Sequence, residues 1–219
     1  MRRTLKWSVN IVLGALLPLW AGATVYAFWY FEGQYLRPVA RPAGAAVAVP
    51  GTRPPATYSV LRTDQGTFTL GAGQPITVLN FWNPQCPCSR YAESDVRRLV
   101  QRYQPTGVRF ITVIAAGNTD KEVAEASAAW AHRRPAGTAT LIDRNNSLAQ
   151  HFGVWAAPAA VILDTHGRLA YVGAYNAARY CNDPETAWAA KALLAIVQRQ
   201  TPPRAKTLFF GCQLSAAAS

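Results

Sequence analysis

The stretch Ile76-Thr-Val-Leu-Asn80-Phe81-Trp82-Asn83-Pro84-Gln85-Cys86-Pro87-Cys88-Ser89-Arg90-Tyr91 constrains the fold more than any other part of the chain. Its first half is a continuous apolar, β-branched run, which reads as a strand buried on both faces. Asn83-Pro84 then turns the chain, and Pro87 suits the first position of a helix. That places Cys86 at the N-cap, where unpaired backbone N–H groups and the positive end of the helix dipole converge. A thiolate there is stabilised, so its pKa falls and its reactivity near neutral pH rises. The bland alternative is a buried structural cysteine. The reactive reading requires that this sulfur be open to solvent.

Composition narrows the function classes. The 219 residues carry a net charge of +11, but the arginines are scattered and no basic block interleaves with aromatics. Nucleic-acid binding is therefore a poor expectation, and attraction to an anionic membrane surface a better one. Arg2, Arg3 and Lys6 precede an uncharged apolar stretch, Trp7–Phe31. A bilayer needs about 20 such residues. Residues 1–32 are thus expected to be a cytoplasmic stub and a single transmembrane helix, with the remainder outside the inner membrane, in the periplasm. A cleaved signal peptide is the rival, since Val25-Tyr26-Ala27 looks like a cleavage site. Residues 33–56 are rich in Pro, Ala and Gly and read as a linker.

The folded domain is expected over 57–219. Tyr58–Arg62 and Thr67–Leu70 read as a hairpin, followed by the central strand and the Cys86-led helix. Val96, Leu99, Val100 and Tyr103 mark that helix's buried stripe. A strand at Val108–Ala115, a helix at Lys121–Ala131, a strand at Thr138–Ile142 and a short helix at Ser147–Phe152 come next. Ala159–Leu163 and Leu169–Gly173 form a second hairpin. A helix follows from about Pro184 to Arg199, and Thr207–Cys212 reads as a last short strand. Alternating strands and helices imply an α/β fold, a mixed central sheet with helices on both faces.

With Phe81-Trp82-Asn83-Pro84-Gln85-Cys86 in view, the domain resembles the thioredoxin superfamily, especially its membrane-anchored, TlpA-like exported members. A second matching segment is Gly153-Val154-Trp155-Ala156-Ala157-Pro158-Ala159-Ala160-Val161-Ile162-Leu163-Asp164, which looks like that family's proline loop and following strand. The resemblance implies that Pro158 is cis, lies against the reactive cysteine, and lets the Ala157 backbone pair with an extended substrate strand. It further implies thiol–disulfide exchange with protein or small-molecule thiols and disulfides, without a cofactor.

The departures matter as much. The family's second cysteine falls on Ser89, and Cys88 is displaced to give Cys86-Pro87-Cys88. The family's buried carboxylate falls on Asn80. Residues two apart on a helix point to different faces, so a Cys86–Cys88 bond would distort the first turn and be readily reduced. The Cys-Pro-Cys site also resembles an uncharacterised group of bacterial membrane-anchored thioredoxin-like proteins.

Cys181 and Cys212 lie outside the pattern. A structural disulfide between them is the favoured expectation in an oxidising compartment. The sharper alternative is that one of them resolves an intermediate on Cys86. The leading functional expectation is an extracytoplasmic oxidoreductase with Cys86 as nucleophile, Cys88 as resolving thiol and Pro158 beside them. One alternative is a soft-metal module binding Cu(I) through Cys86 and Cys88, although His132, His151 and His166 show no ligand spacing to them. Another is a redox-inert scaffold of the same fold.

Overall fold

The computed structural model describes residues 2–214, with side chains described from Gly14 onward apart from residues 34, 35 and 56. The described residues fall into two compact units, one ending at Arg37 and the other beginning at Pro38. The first is one helix, α1 (Arg2–Leu36). It contains the stretch expected to span a membrane, whose Trp7–Leu13 side chains lie outside those described. Among the described residues, no helix is long and apolar enough to cross a membrane.

The second unit holds β1 (Val60–Thr63), β2 (Gly66–Thr69), β3 (Thr77–Trp82), α2 (Pro87–Tyr103), β4 (Arg109–Ala116), α3 (Asp120–Ala131) and β5 (Ala139–Arg144). It continues through α4 (Ser147–His151), β6 (Ala156–Ala157), β7 (Ala159–Leu163), β8 (Leu169–Gly173), α5 (Trp188–Val197) and β9 (Cys212–Gln213). The main sheet has the order β5-β4-β3-β7-β8. β3 pairs parallel with β4 and antiparallel with β7, and β4 pairs parallel with β5. All six residues of β3 are buried, as its unbroken apolar run requires of a central strand.

Strand alternation sends side chains to two cores. Val78, Phe110, Ile162 and Tyr171 pack against α2 and α5, with Val96, Leu99, Val100 and Tyr103 all buried there. On the same side Trp82 and Ile114 pack against Trp130 of α3. Leu79, Phe81, Ile111, Val113 and Val161 face the other way, onto Leu61, Leu148 of α4, and Phe209 and Leu214 of the C-terminal segment.

Two expectations need correction. The segment read as a linker is docked from Val39 onward. Val39 N–H donates to Phe209 O at 2.8 Å, Gly51 N–H to Leu169 O at 2.8 Å and Leu169 N–H to Thr52 O at 2.8 Å. Ala48 enters the core directly, where Gly153 (φ +63°) leaves room for its backbone. Small residues without periodicity gave no sign of this, because backbone pairing needs none. The last helix is also shorter than read. Pro184–Thr186 is a separate 3₁₀ turn, capped by Asp183, whose side chain accepts from Glu185 N–H, and α5 begins only at Trp188.

Candidate functional site: three sulfurs at the head of a helix

The site sits at the C-terminal end of β3, where the chain turns into α2. The Asn83 side chain accepts from Gln85 N–H at 2.9 Å, and Cys86 N–H donates to Asn83 O at 3.1 Å, so the turn is closed by its own residues. Ser89, in the position of the missing second cysteine, accepts from Asn83 N–H through its hydroxyl at 3.2 Å. Its role is to tie the turn to the first turn of α2. Cys86 is the N-cap and Pro87 follows at the start of the helix.

The Ala157–Pro158 bond is cis. The Cys86 Sγ lies 3.4 Å from the Ala157 carbonyl oxygen. The proline loop and the cysteine therefore meet as the resemblance implied. Asn80, in the carboxylate position, is buried and hydrogen-bonded at both amide atoms: its Oδ1 accepts from the Tyr175 hydroxyl at 2.8 Å, and its Nδ2 donates to Thr112 Oγ1 at 3.3 Å. Complete burial, with smaller contributions from the Asp95 charge and from Tyr171, holds the Tyr175 hydroxyl well above its ordinary pKa. None of the three side chains that these bonds join, Asn80, Thr112 and Tyr175, is a carboxylate. Arg90, four residues after Cys86, is solvent-exposed.

The pairing of the cysteines differs from expectation. Cys212 is bonded to Cys86, with Cα atoms 5.8 Å apart, and not to Cys181. Cys181 is a half-buried free thiol, 3.4 Å from Thr186 Oγ1. The reason is the path of the chain after α5. Residues 205–208 run along β8, and the segment then crosses to β6, where Cys212 sits opposite Ala157 and Gln213 opposite Ala156. Cys88 is a buried free thiol, and the sulfurs of Cys86, Cys88 and Cys212 all lie within 4.8 Å of one another. Short spacing proclaimed Cys86 and Cys88; nothing in the sequence near Cys212 signalled its partner 126 residues away.

A second correction concerns access. Cys86 is 0% exposed, where the reactive reading required an open sulfur. Its cover is the C-terminal segment itself. Phe209, 0% exposed, packs on Trp155 with ring centroids 4.3 Å apart, and Leu214 N–H donates to Trp155 O at 2.9 Å. A cleft of about 430 Å³ flanks the turn at Asn83–Gln85 and reaches Leu214. A larger cavity, about 1050 Å³, lies at the opposite end of β3, beside Ile76, and no cysteine lines it.

This combination of a β3–α2 unit, a cis-proline loop leading into β7 and a closing hairpin and helix defines a thioredoxin-like α/β protein with a cysteine-rich site. The chain belongs to the family described as Domain of unknown function (DUF6436), whose profile matches residues 58–214. No curated protein gives a match. Among solved structures, a hypothetical protein from Sinorhizobium meliloti superposes with TM-score 0.65 at 21% identity, over 80% of this chain and 98% of that one. An uncharacterized conserved protein from Geobacillus kaustophilus gives 0.64 at 19% identity, over 83% and 100%. At these identities the likeness is one of fold. A candidate thiol:disulfide interchange protein, DsbE, from Chlorobium tepidum reaches only 0.46 at 20% identity, over 56% and 83%.

Proposed function

We propose that the protein is a membrane-anchored, extracytoplasmic thiol–disulfide oxidoreductase in which Cys86 is the nucleophile. The observation that carries this reading is the meeting of three sulfurs within 4.8 Å at the N-terminus of α2, one of them against the carbonyl of a cis-proline loop. Sulfurs at that separation are within reach of disulfide exchange, substrate reaches Cys86 only when the segment that carries Cys212 moves aside, and the helix N-terminus stabilises the thiolate that forms on Cys86. Cys88 and Cys212 are the two candidate resolving thiols. The partners are protein or small-molecule thiols and disulfides, and the exchange needs no cofactor. Residues 1–32 would hold the domain on the periplasmic side of the inner membrane by a single span. Supporting this are the basic residues before Trp7 and the exposed apolar side chains of α1 from Leu16 to Phe31.

A redox titration of the protein against glutathione buffers tests the reading. A two-electron couple lost in Cys86→Ser is the expected result. A chain whose thiol count does not respond to the buffer would sink it.

The same three sulfurs favour one second reading. When all are reduced they form a compact thiolate set suited to a soft ion such as Cu(I). Binding of one Cu(I) per reduced chain, weakened by each of Cys86→Ser, Cys88→Ser and Cys212→Ser, together with no redox couple, would favour it over exchange.

A further inference from the structure

The C-terminal segment docks in two parts. Residues 205–208 are held on β8: Val172 N–H donates to Ala205 O at 3.0 Å, Thr207 N–H to Val172 O at 3.0 Å, and Ala174 N–H to Leu208 O at 3.3 Å. None of these bonds depends on sulfur. Beyond Gly211 the chain pairs with β6 and delivers Cys212 to Cys86. Gly211 separates the two parts, at φ +140°, and passes so close to the proline loop that a Cβ there would lie 2.0 Å from Ala157 O. Only glycine permits this approach. The sequence before Cys212 is thus shaped to bring its sulfur over the loop.

Any extended segment that presents a sulfur to Cys86 across Ala157 must use the edge that β9 occupies. The cover and an incoming substrate compete for one place. A permanent staple would leave Cys86 closed, and would leave Cys88 as an idle buried thiol within reach of both bonded sulfurs.

Resting on the oxidoreductase reading, we propose that Cys212 is the resolving thiol of Cys86, carried on a strand that leaves the Ala156–Ala157 edge while substrate is bound and returns to expel it. With the cysteines reduced, the Cys86 thiolate attacks one sulfur of a substrate disulfide. The substrate S–S bond breaks, its distal half departs as a thiolate that takes a proton, and a mixed disulfide forms on Cys86. The Cys212 thiolate then attacks the Cys86 sulfur. The mixed disulfide breaks, the second half departs as a thiolate and is protonated, and the Cys86–Cys212 bond of the structure forms. Two electrons and the two thiol protons of Cys86 and Cys212 have passed to the substrate, now two thiols. An external dithiol resets the pair by the same steps in reverse. The part anchored on β8 keeps Cys212 near Cys86 throughout, at the high effective concentration of a short tether.

The test mixes the full chain, reduced and held in detergent, with oxidised glutathione and follows the glutathione adduct on Cys86 by mass spectrometry and peptide mapping. In the unmodified chain the adduct should decay at the rate at which the Cys86–Cys212 bond appears. Cys212→Ser should hold the adduct longer by on the order of a hundredfold, as expected when a tethered thiol is removed. In Cys88→Ser the adduct should still decay into the Cys86–Cys212 bond. Decay into a Cys86–Cys88 bond in the unmodified chain, or retention in Cys88→Ser but not in Cys212→Ser, overturns the role of Cys212 and leaves the oxidoreductase standing. Absence of any adduct on Cys86 in all three proteins overturns both. The rate match in the unmodified chain needs no variant, so a fold lost in Cys212→Ser would not rescue the idea.

Discussion

At one edge of the main sheet β5 is covered by the turn of the β1–β2 hairpin; at the other, β8 is covered by residues 205–208. Uncovered edges invite pairing with other chains, so both need a cover. On β5 the cover is polar and local. Asp64 N–H donates to Thr140 O at 3.0 Å, Thr140 N–H donates to the Asp64 carboxylate at 2.7 Å, and Arg134 pairs with that same carboxylate. On β8 residues 205–208 are held by main-chain bonds, and the segment goes on through the buried Phe209 to β9, which a bond between sulfurs fastens beside β6. The first is set by chemistry that reductant does not touch. The second contains one bond that exists or not according to redox state, and that bond lies on the candidate nucleophile. The β5 and β8 edges are closed for good; the β6 edge is closed conditionally.

The largest effect should come from the apolar anchor. Phe209→Ala removes a fully buried ring and should destabilise the domain by about 3–5 kcal/mol in urea unfolding, the range for deleting a buried Phe. Leu208→Ala, at an exposed position, should stay within about 0.5 kcal/mol. Equal losses in the two would mean the segment is not held by its ring. Reduction of the Cys86–Cys212 bond should come next, at about 2–4 kcal/mol, the typical range for a disulfide. Amide exchange should then quicken at Cys212–Leu214 while Thr140 is unchanged. If Thr140 quickens equally, the two edges are not independent. Asp64→Ala should cost less, about 1 kcal/mol, because the bonds it removes face water. Its cost should be the same with and without reductant, as distant sites add.

These contrasts also explain what the sequence could reveal. The run Ile76–Trp82 is apolar at every turn of the pleat except Thr77 and Asn80, so its central place was legible, and with it the helix headed by Cys86. Ala159–Leu163 and Leu169–Gly173 stand where they were read, flanking Asp164 and Gly167, whose turn chemistry is local. The cover on β8 was not legible in the same way. Thr207–Cys212 reads as a strand from its residue types, but the strand is only Cys212–Gln213, and which edges the segment joins is settled by where α5 ends and by the fit of Phe209 against Trp155. Those are tertiary facts. The partner of Cys212 follows from them, so a pairing argued from compartment alone chose Cys181, which the chain path leaves beside Thr186. Ser89 and Asn80 were legible only as absences; their bonds to Asn83 N–H and to Tyr175 needed coordinates.

The smallest expected effect separates the edges by pH. Asp143, at the end of β5, accepts from Leu148 N–H at 2.9 Å, Ala149 N–H at 2.9 Å and the Ser147 hydroxyl at 3.1 Å. Burial outweighs these bonds and raises its pKa above the ordinary carboxylate value. Ionising Asp143 therefore costs more in the folded chain than in the unfolded one. Its contribution to stability is fully present below the unfolded carboxylate pKa, about 3.9, and is lost as pH rises through the folded value. Asp95, raised chiefly by burial, has the same sign. His151, stacked on Tyr58 and lowered by burial, has the opposite one, since its contribution is lost as pH falls through its depressed folded value. The difference between the unmodified chain and Asp143→Asn isolates one group from the other two. In urea unfolding from pH 4 upward, Asp143→Asn should lose part of the decline in stability, and the decline that remains should track Asp95→Asn. The same pH range should leave the β8 cover unchanged, because none of the three groups bonds to residues 205–214. A pH-dependent rate of Cys212–Leu214 amide opening, after correction for intrinsic exchange, would join the two edges that the structure keeps apart.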